Sequence, residues 1–164
     1  MSPREVAAAV RLRLAAELRD DADMIGRLAA AVRALREPAA DARDDWMRAL
    51  ALAFEVERFY TAVEATLTRL LRSLDGDVPE GPTSHQELLR ASSVPIEGGR
   101  PALLGRDVLV ELRELLKFRH LARHGYEAEP DLARMIDHGA RVERAHAGLA
   151  SGFAALEAWL RQAG

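Results

Sequence analysis

The sequence predicts an all-α fold: a single helical bundle over residues 1–164, with four long helices and one short one. Three observations carry that expectation. Alanine, leucine, arginine and glutamate, all strong helix formers, dominate the chain. Apolar residues recur at intervals of three and four, and no run alternates with period two between turn signals. Two capping boxes, Ser2 to Glu5 and Ser84 to Glu87, stand where helices would open.

The first helix opens at Ser2 with Pro3 in its first position, and Pro38 ends it. Its stripe is Val6, Val10, Leu14, Leu18, Ile25, Leu28, Val32 and Leu35; Asp20 to Asp23 and Gly26 mark a place for a kink or a break. The second starts near Asp41 to Asp45, carries Trp46, Leu50, Phe54, Val56, Phe59, Tyr60, Val63, Leu67, Leu70 and Leu74, and stops at Asp75-Gly76. Gly76, Pro79, Gly81 and Pro82 make the next segment a loop. A short helix runs from Ser84 to about Ser92, and Pro95, Gly98 and Gly99 form another loop. The fourth helix spans about Arg106 to Arg123, with Val108, Leu112, Leu115 and Leu116 on one face and Gly125 as its C-cap. Pro130-Asp131 starts the last, with Leu132, Met135, Ile136, Val142, Leu149, Phe153, Leu156 and Leu160 in its stripe.

Composition narrows the function classes. The formal net charge is −3, so any nucleic-acid contact must come from a local basic cluster. With no cysteine, disulfides, a zinc–thiolate site and a cysteine nucleophile are excluded. No apolar run approaches the roughly 18 residues of a membrane span, and the N-terminus lacks a signal-peptide core. The expectation is a soluble cytoplasmic protein without membrane contact.

One segment concentrates chemistry. Phe118-Arg119-His120-Leu121-Ala122-Arg123-His124-Gly125-Tyr126 gathers two arginines, two histidines and a tyrosine at a helix end, just after Arg113 and Lys117, the chain's single lysine. Arg119 follows Leu115 by four and Leu116 by three, so it projects on or beside the apolar stripe. An unpaired buried guanidinium is very costly, so it must meet a polar partner; a reach to a surface carboxylate would satisfy it equally. His124, at a helix C-terminus, is suited to the macrodipole there. At about 100° per residue Arg119 and His124 point roughly 140° apart on a regular helix, so one straight helix does not aim both at one small group. His120 and His124 have metal-capable spacing, and Glu143-Arg144-Ala145-His146 is the single Glu-x-x-His pair; neither has the further ligands a site requires, and no metal or cofactor is expected.

The Arg119 to Tyr126 segment reads R-x-x-x-x-H-x-Y at the end of a helix and before a last long helix. It resembles the HEPN superfamily, and within it the HepT-like ribonuclease toxins, which are partnered by a minimal nucleotidyltransferase antitoxin. Phe59-Tyr60-Thr61-Ala62-Val63-Glu64 on the second helix is similar to that group too. The family usually carries a polar residue, often asparagine, after the motif arginine; here it is His120. The resemblance implies a homodimer whose two motif copies face one another across a cleft, metal-independent RNA cleavage, and attachment of AMP to Tyr126 by the partner transferase.

The residues suit that chemistry. The 2′-hydroxyl of RNA is a built-in nucleophile, so the reaction needs a proton-transfer group and a cation on the phosphate. Histidine titrates near neutrality and arginine's planar fork matches phosphate oxygens. His124 is thus the expected general base or acid and Arg119 the phosphate clamp. Arg123 and Lys117 are candidate RNA contacts or a solvated basic face. His120 and Glu64 are candidate site support, Glu64 being more simply a surface or intersubunit ion pair. His146, on an apolar stripe, is expected as a core or interface histidine. Two other readings fit: a non-catalytic bundle that binds a nucleotidyltransferase and presents its substrate, and a dimerising adaptor with Arg119 in an interface ion pair.

Overall fold

The computed structural model describes residues 3–38, 45–124 and 131–162, with side chains for all of these except 3, 4, 6 and 120–124. Five helices follow in order: α1 (Pro3–Arg36), α2 (Asp45–Leu74), α3 (Ser84–Ser92), α4 (Arg106–His124) and α5 (Leu132–Gln162). No strand occurs among the described residues. The all-α bundle of four long helices and one short one is therefore observed.

α1 lies along α5 and α2, and α5 also packs on α2 and α4. The short α3 rests on both α2 and α4. The shared core holds Leu14, Leu18, Ile25 and Val32 of α1, Phe59, Tyr60, Val63, Leu67 and Leu70 of α2, Leu112 and Leu115 of α4, and Val142, Leu149, Phe153 and Leu156 of α5. Gly148 sets how closely α4 and α5 approach, because a Cβ there would run into Val108 Cγ2.

Three local expectations are corrected, and a fourth, the start of the last helix at Asp131, holds. α1 is one continuous helix through Asp20–Asp23 and Gly26. Asp21 is turned to α2, where it pairs with Arg69 and accepts the Thr66 hydroxyl at 3.0 Å, so its charge is satisfied without a break. In α2, Trp46, Leu50 and Phe54 are exposed, and Ala49 and Leu52 fill the core instead, beside the expected Val56. At α3 the N-cap is Thr83, not Ser84, and it makes no side-chain cap; its hydroxyl donates to the Glu87 carboxylate at 2.7 Å. α5 starts at Leu132, and Asp131 caps it by accepting the Arg134 backbone N–H at 2.9 Å.

The α3–α4 connection is fixed by Arg100, which is 4% exposed. Its guanidinium donates two bonds of 2.6 Å to Asp75 at the end of α2, and further bonds to the carbonyls of Ala91, Val94 and Pro101. Leu103 and Leu104 donate their backbone N–H groups to the Ser92 carbonyl. These bonds fix where α4 begins and hold α3 against its two neighbours, which matters for the cluster described next.

Candidate functional site

Arg119 is 7% exposed and reaches from α4 onto α2. Its Nη1 donates to Glu64 Oε2 at 2.9 Å, and its guanidinium lies over the Tyr60 ring, 5.5 Å from the centroid. Tyr60 and Glu64 are one helical turn apart on α2, so they present a face and a carboxylate to the same cation. The polar destination required of Arg119 is thus inside its own chain. Of the roles expected for Glu64, site support or a surface or intersubunit ion pair, the contact seen within the chain is with the motif arginine: Glu64 neutralises Arg119 directly.

The same Glu64 oxygen meets a third helix. His85, in the first turn of α3, places Nδ1 at 2.7 Å from Glu64 Oε2. One carboxylate therefore joins α2, α3 and α4. Burial pushes the Tyr60 hydroxyl well above the usual tyrosine range, and the negative Glu64 adds to this while Arg119 opposes it. The Tyr60 hydroxyl and Arg119 Nε have no hydrogen-bond partner among the described residues. The cluster is a buried cation with its counter-ion, an un-ionised phenol beneath it and a partly exposed histidine beside it.

The other expected site residues divide. Lys117 is exposed and pairs with Glu114 at 2.6 Å. It lies two residues before Arg119, roughly 200° around a regular helix, so it serves a different face of α4. There it lines a groove of about 640 Å³ between α3 and α4 with Arg90 and Arg113. α4 stays helical through His124, about 7.5 Å along the axis beyond Arg119. The side chains of His120, Arg123 and His124 lie outside the described residues, as do Gly125 and Tyr126 entirely.

Elsewhere, Glu143 of the Glu-x-x-His pair is bound to Arg36 and Arg33. His146 lines a groove between α1 and α5, where burial, and to a lesser extent Arg33, lower its pKa. Among the described residues no group of three or more histidine, aspartate or glutamate side chains is arranged to hold a metal ion. No helix among them is long and apolar enough to cross a membrane.

Sequence reasoning missed the involvement of His85, and it placed Tyr60 in the apolar stripe and in the segment similar to the HepT-like group without pairing it with Arg119. Tyr60 had a usable signal, its i, i+4 relation to Glu64. His85 had none, since it is one polar residue in a polar first turn. His138 was missed as well: its ring packs on Phe118, the neighbour of Arg119, with centroids 4.5 Å apart.

A helical bundle with a buried arginine opening a helix-end R-x-x-x-x-H-x-Y motif is HEPN-like in fold. The family model for HepT-like protein matches residues 51–160, more than half of the chain, and the chain belongs to that family. The match takes in α3, α4, nearly all of α5 and most of α2, and so Glu64, His85 and Arg119. No curated protein and no solved structure matches the chain. Family membership suggests a HEPN ribonuclease of the toxin type.

Proposed function

We propose that the chain is a metal-independent endoribonuclease toxin that works as a homodimer and is neutralised by a minimal nucleotidyltransferase antitoxin. Cleavage proceeds by attack of the RNA 2′-hydroxyl on the adjacent phosphorus. His124 transfers a proton, as base or acid, and Arg119 steadies the charge that builds on the phosphate. Two motif copies facing one another give a composite site, which answers the divergent directions of Arg119 and His124 on one helix. Arg123, His120 and Lys117 contribute contacts to RNA, and Glu64 orients Arg119.

The observation that carries this reading is Arg119 itself. It is held at 2.9 Å by Glu64 and stacked on Tyr60 within a chain of the HepT-like family. A guanidinium fixed in this way loses little rotamer freedom when it meets a phosphate.

AMP attached to Tyr126 would silence such a site, because each added phosphodiester brings negative charge to the arginines meant for RNA. Intact-mass measurement after incubation with the partner transferase and ATP tests this. An adduct on the wild type and none on Tyr126→Phe is expected; no adduct on the wild type contradicts it. The ribonuclease itself is tested by induced expression: the wild type arrests growth with fragmented RNA, and His124→Ala does not.

One observation favours the second reading, a non-catalytic bundle that presents substrate to a nucleotidyltransferase. Arg119 is buried and its charge is already met by Glu64 in the same chain. Wild-type expression that leaves growth and RNA intact, with the transferase still co-purifying, would establish that reading instead.

A further inference from the structure

We propose that the outward face of α2 is the surface on which two copies of this chain pair, antiparallel, about a dyad between Glu57 and Arg58. The proposal rests on the homodimer of the reading above, from which it takes only that two copies meet, and it names the contact face. Its ground is an apolar stripe that no described helix covers. Trp46, Met47, Leu50 and Phe54 are 53%, 59%, 38% and 61% exposed. α1 occupies one flank of α2, where Asp21 meets Thr66 and Arg69. α3 and α4 occupy the other, where His85 and Arg119 meet Glu64. Leu52, Val56, Phe59 and Val63 point into the core.

The order of residues in the stripe points to a second copy as the occupant. Along α2 it reads Trp46, Met47, Leu50 and Phe54, then Thr61, Ala65 and Thr68: bulky apolar residues first, small ones after. At about 100° per residue all of these fall within roughly 100° of helix surface. In an antiparallel pair with the stated dyad, Phe54 lies opposite Thr61 of the second copy, Leu50 opposite Ala65 and Met47 opposite Thr68. Each bulky side chain then meets a small one, and the helices can close to the roughly 8–10 Å of packed helices. A parallel pair would set Phe54 on Phe54 and Ala65 on Ala65, with bulk at one end and a gap at the other. Charge agrees with the antiparallel register, because the dyad sets the acidic Glu57 opposite the basic Arg58. Arg58 also lies against the Phe54 ring, 5.6 Å from its centroid, and is paired with Glu55 at 2.9 Å.

The area is of the right size. The four bulky residues expose on the order of 400 Å² of side chain, a patch large enough to mark an interaction site. Two copies bring about 800 Å². A contact from Met47 to Thr68 runs about 32 Å along the helix and adds the small residues and flanks, approaching the roughly 1,200 Å² of a specific interface. A dyad perpendicular to the paired helices keeps each flank on its own side, so both α4 helices lie on one side of the α2 pair. Tyr60 and Glu64, which hold Arg119, stand about 4–10 Å past the dyad along the helix. The two Arg119 side chains are therefore held on the order of 10–20 Å apart along that direction, on the same side of the dimer.

The test uses the purified full chain. Light scattering at micromolar concentration is expected to give twice the 18.0 kDa chain mass for the wild type. Phe54→Glu sets a carboxylate against the second copy and is expected to weaken pairing by about 30-fold or more, giving monomer. Phe54 is exposed and Arg58 follows it by four, so the helix accepts a carboxylate there, and unchanged helical ellipticity confirms it. Cross-linking reads the register, since the chain has no cysteine of its own. Leu50→Cys with Ala65→Cys in one chain is expected to give a covalent dimer with a short bis-maleimide. The two positions lie roughly 22 Å apart within one helix, beyond the reach of such a linker, so the link forms between copies. Either substitution alone is expected to remain uncoupled. A Phe54→Glu protein that pairs as well as the wild type overturns the α2 face and leaves the homodimer standing. Leu50→Cys alone coupling as efficiently as the double variant overturns the antiparallel register. A monomeric wild type, including one that associates only with its transferase, overturns the face and the homodimer together. If Phe54→Glu is monomeric yet cleaves total RNA at the wild-type rate, the face stands and the composite site falls.

Discussion

Replacing Glu64 with alanine leaves the Arg119 guanidinium inside the bundle without its counter-charge. Arg119 is 7% exposed, its Nη1 donates to Glu64 at 2.9 Å, and its Nε has no partner among the described residues. Removing one partner of a buried ion pair costs about 3–5 kcal/mol. Glu64 keeps 17% of its side-chain exposure, so water can follow the truncation, and about 3 kcal/mol is the appropriate end of that range. For a domain of this size that lowers the melting temperature by about 6–12 °C. Thermal unfolding followed by circular dichroism at 222 nm reads the shift directly. Arg119→Met in the Glu64→Ala background removes the stranded cation, and the double variant should recover much of the loss. A Glu64→Ala melting temperature within about 2 °C of wild type, corresponding to roughly 0.5–1 kcal/mol, would refute the pairing. So would a double variant whose loss equals the sum of the single losses.

Two further predictions concern the frame around the site. Arg100→Met removes the Asp75 pair and frees three carbonyls, and it should destabilise the protein by about 3–5 kcal/mol in urea unfolding. Burial, followed by Arg141 and Arg134, lowers the His138 pKa below the ordinary 6.5. The folded state then binds fewer protons than the unfolded state. Stability is full above about pH 6.5 and declines as pH falls toward the lower folded value, which urea midpoints at pH 7.5 and 5.5 will show. His138→Phe, which keeps an aromatic ring against Phe118, should reduce that decline; an unchanged decline would remove His138 as its source.

Much of the bundle was legible because period and punctuation agree along the chain. Leu112, Leu115, Val142, Leu149 and Phe153 fall inside as their spacing requires. The failures occur where a tertiary contact overrides a local signal. Asp21 and Gly26 resemble a break in isolation, yet α2 supplies Arg69 and Thr66 to Asp21. Trp46, Leu50 and Phe54 repeat at helical spacing, but the small Ala49 faces the core beside Leu52 and Val56. At the site, the need of Arg119 for a partner could be read from its place beside Leu115 and Leu116. The identity of that partner could not, since Glu64 lies 55 residues away and the pairing depends on how α2 and α4 align. His85 joins only because α3, held near α2 by the Arg100 bonds, brings its first turn to the same carboxylate.

Cleavage of total cellular RNA by the purified protein in EDTA tests the central claim most directly, with Arg119→Ala and His124→Ala as controls. The account predicts that the wild type produces discrete fragments ending in 2′,3′-cyclic phosphate without added metal. It predicts that each variant is slower on the order of 100-fold or more. RNA left intact by the wild type, or cut equally well by a folded His124→Ala protein, would contradict it.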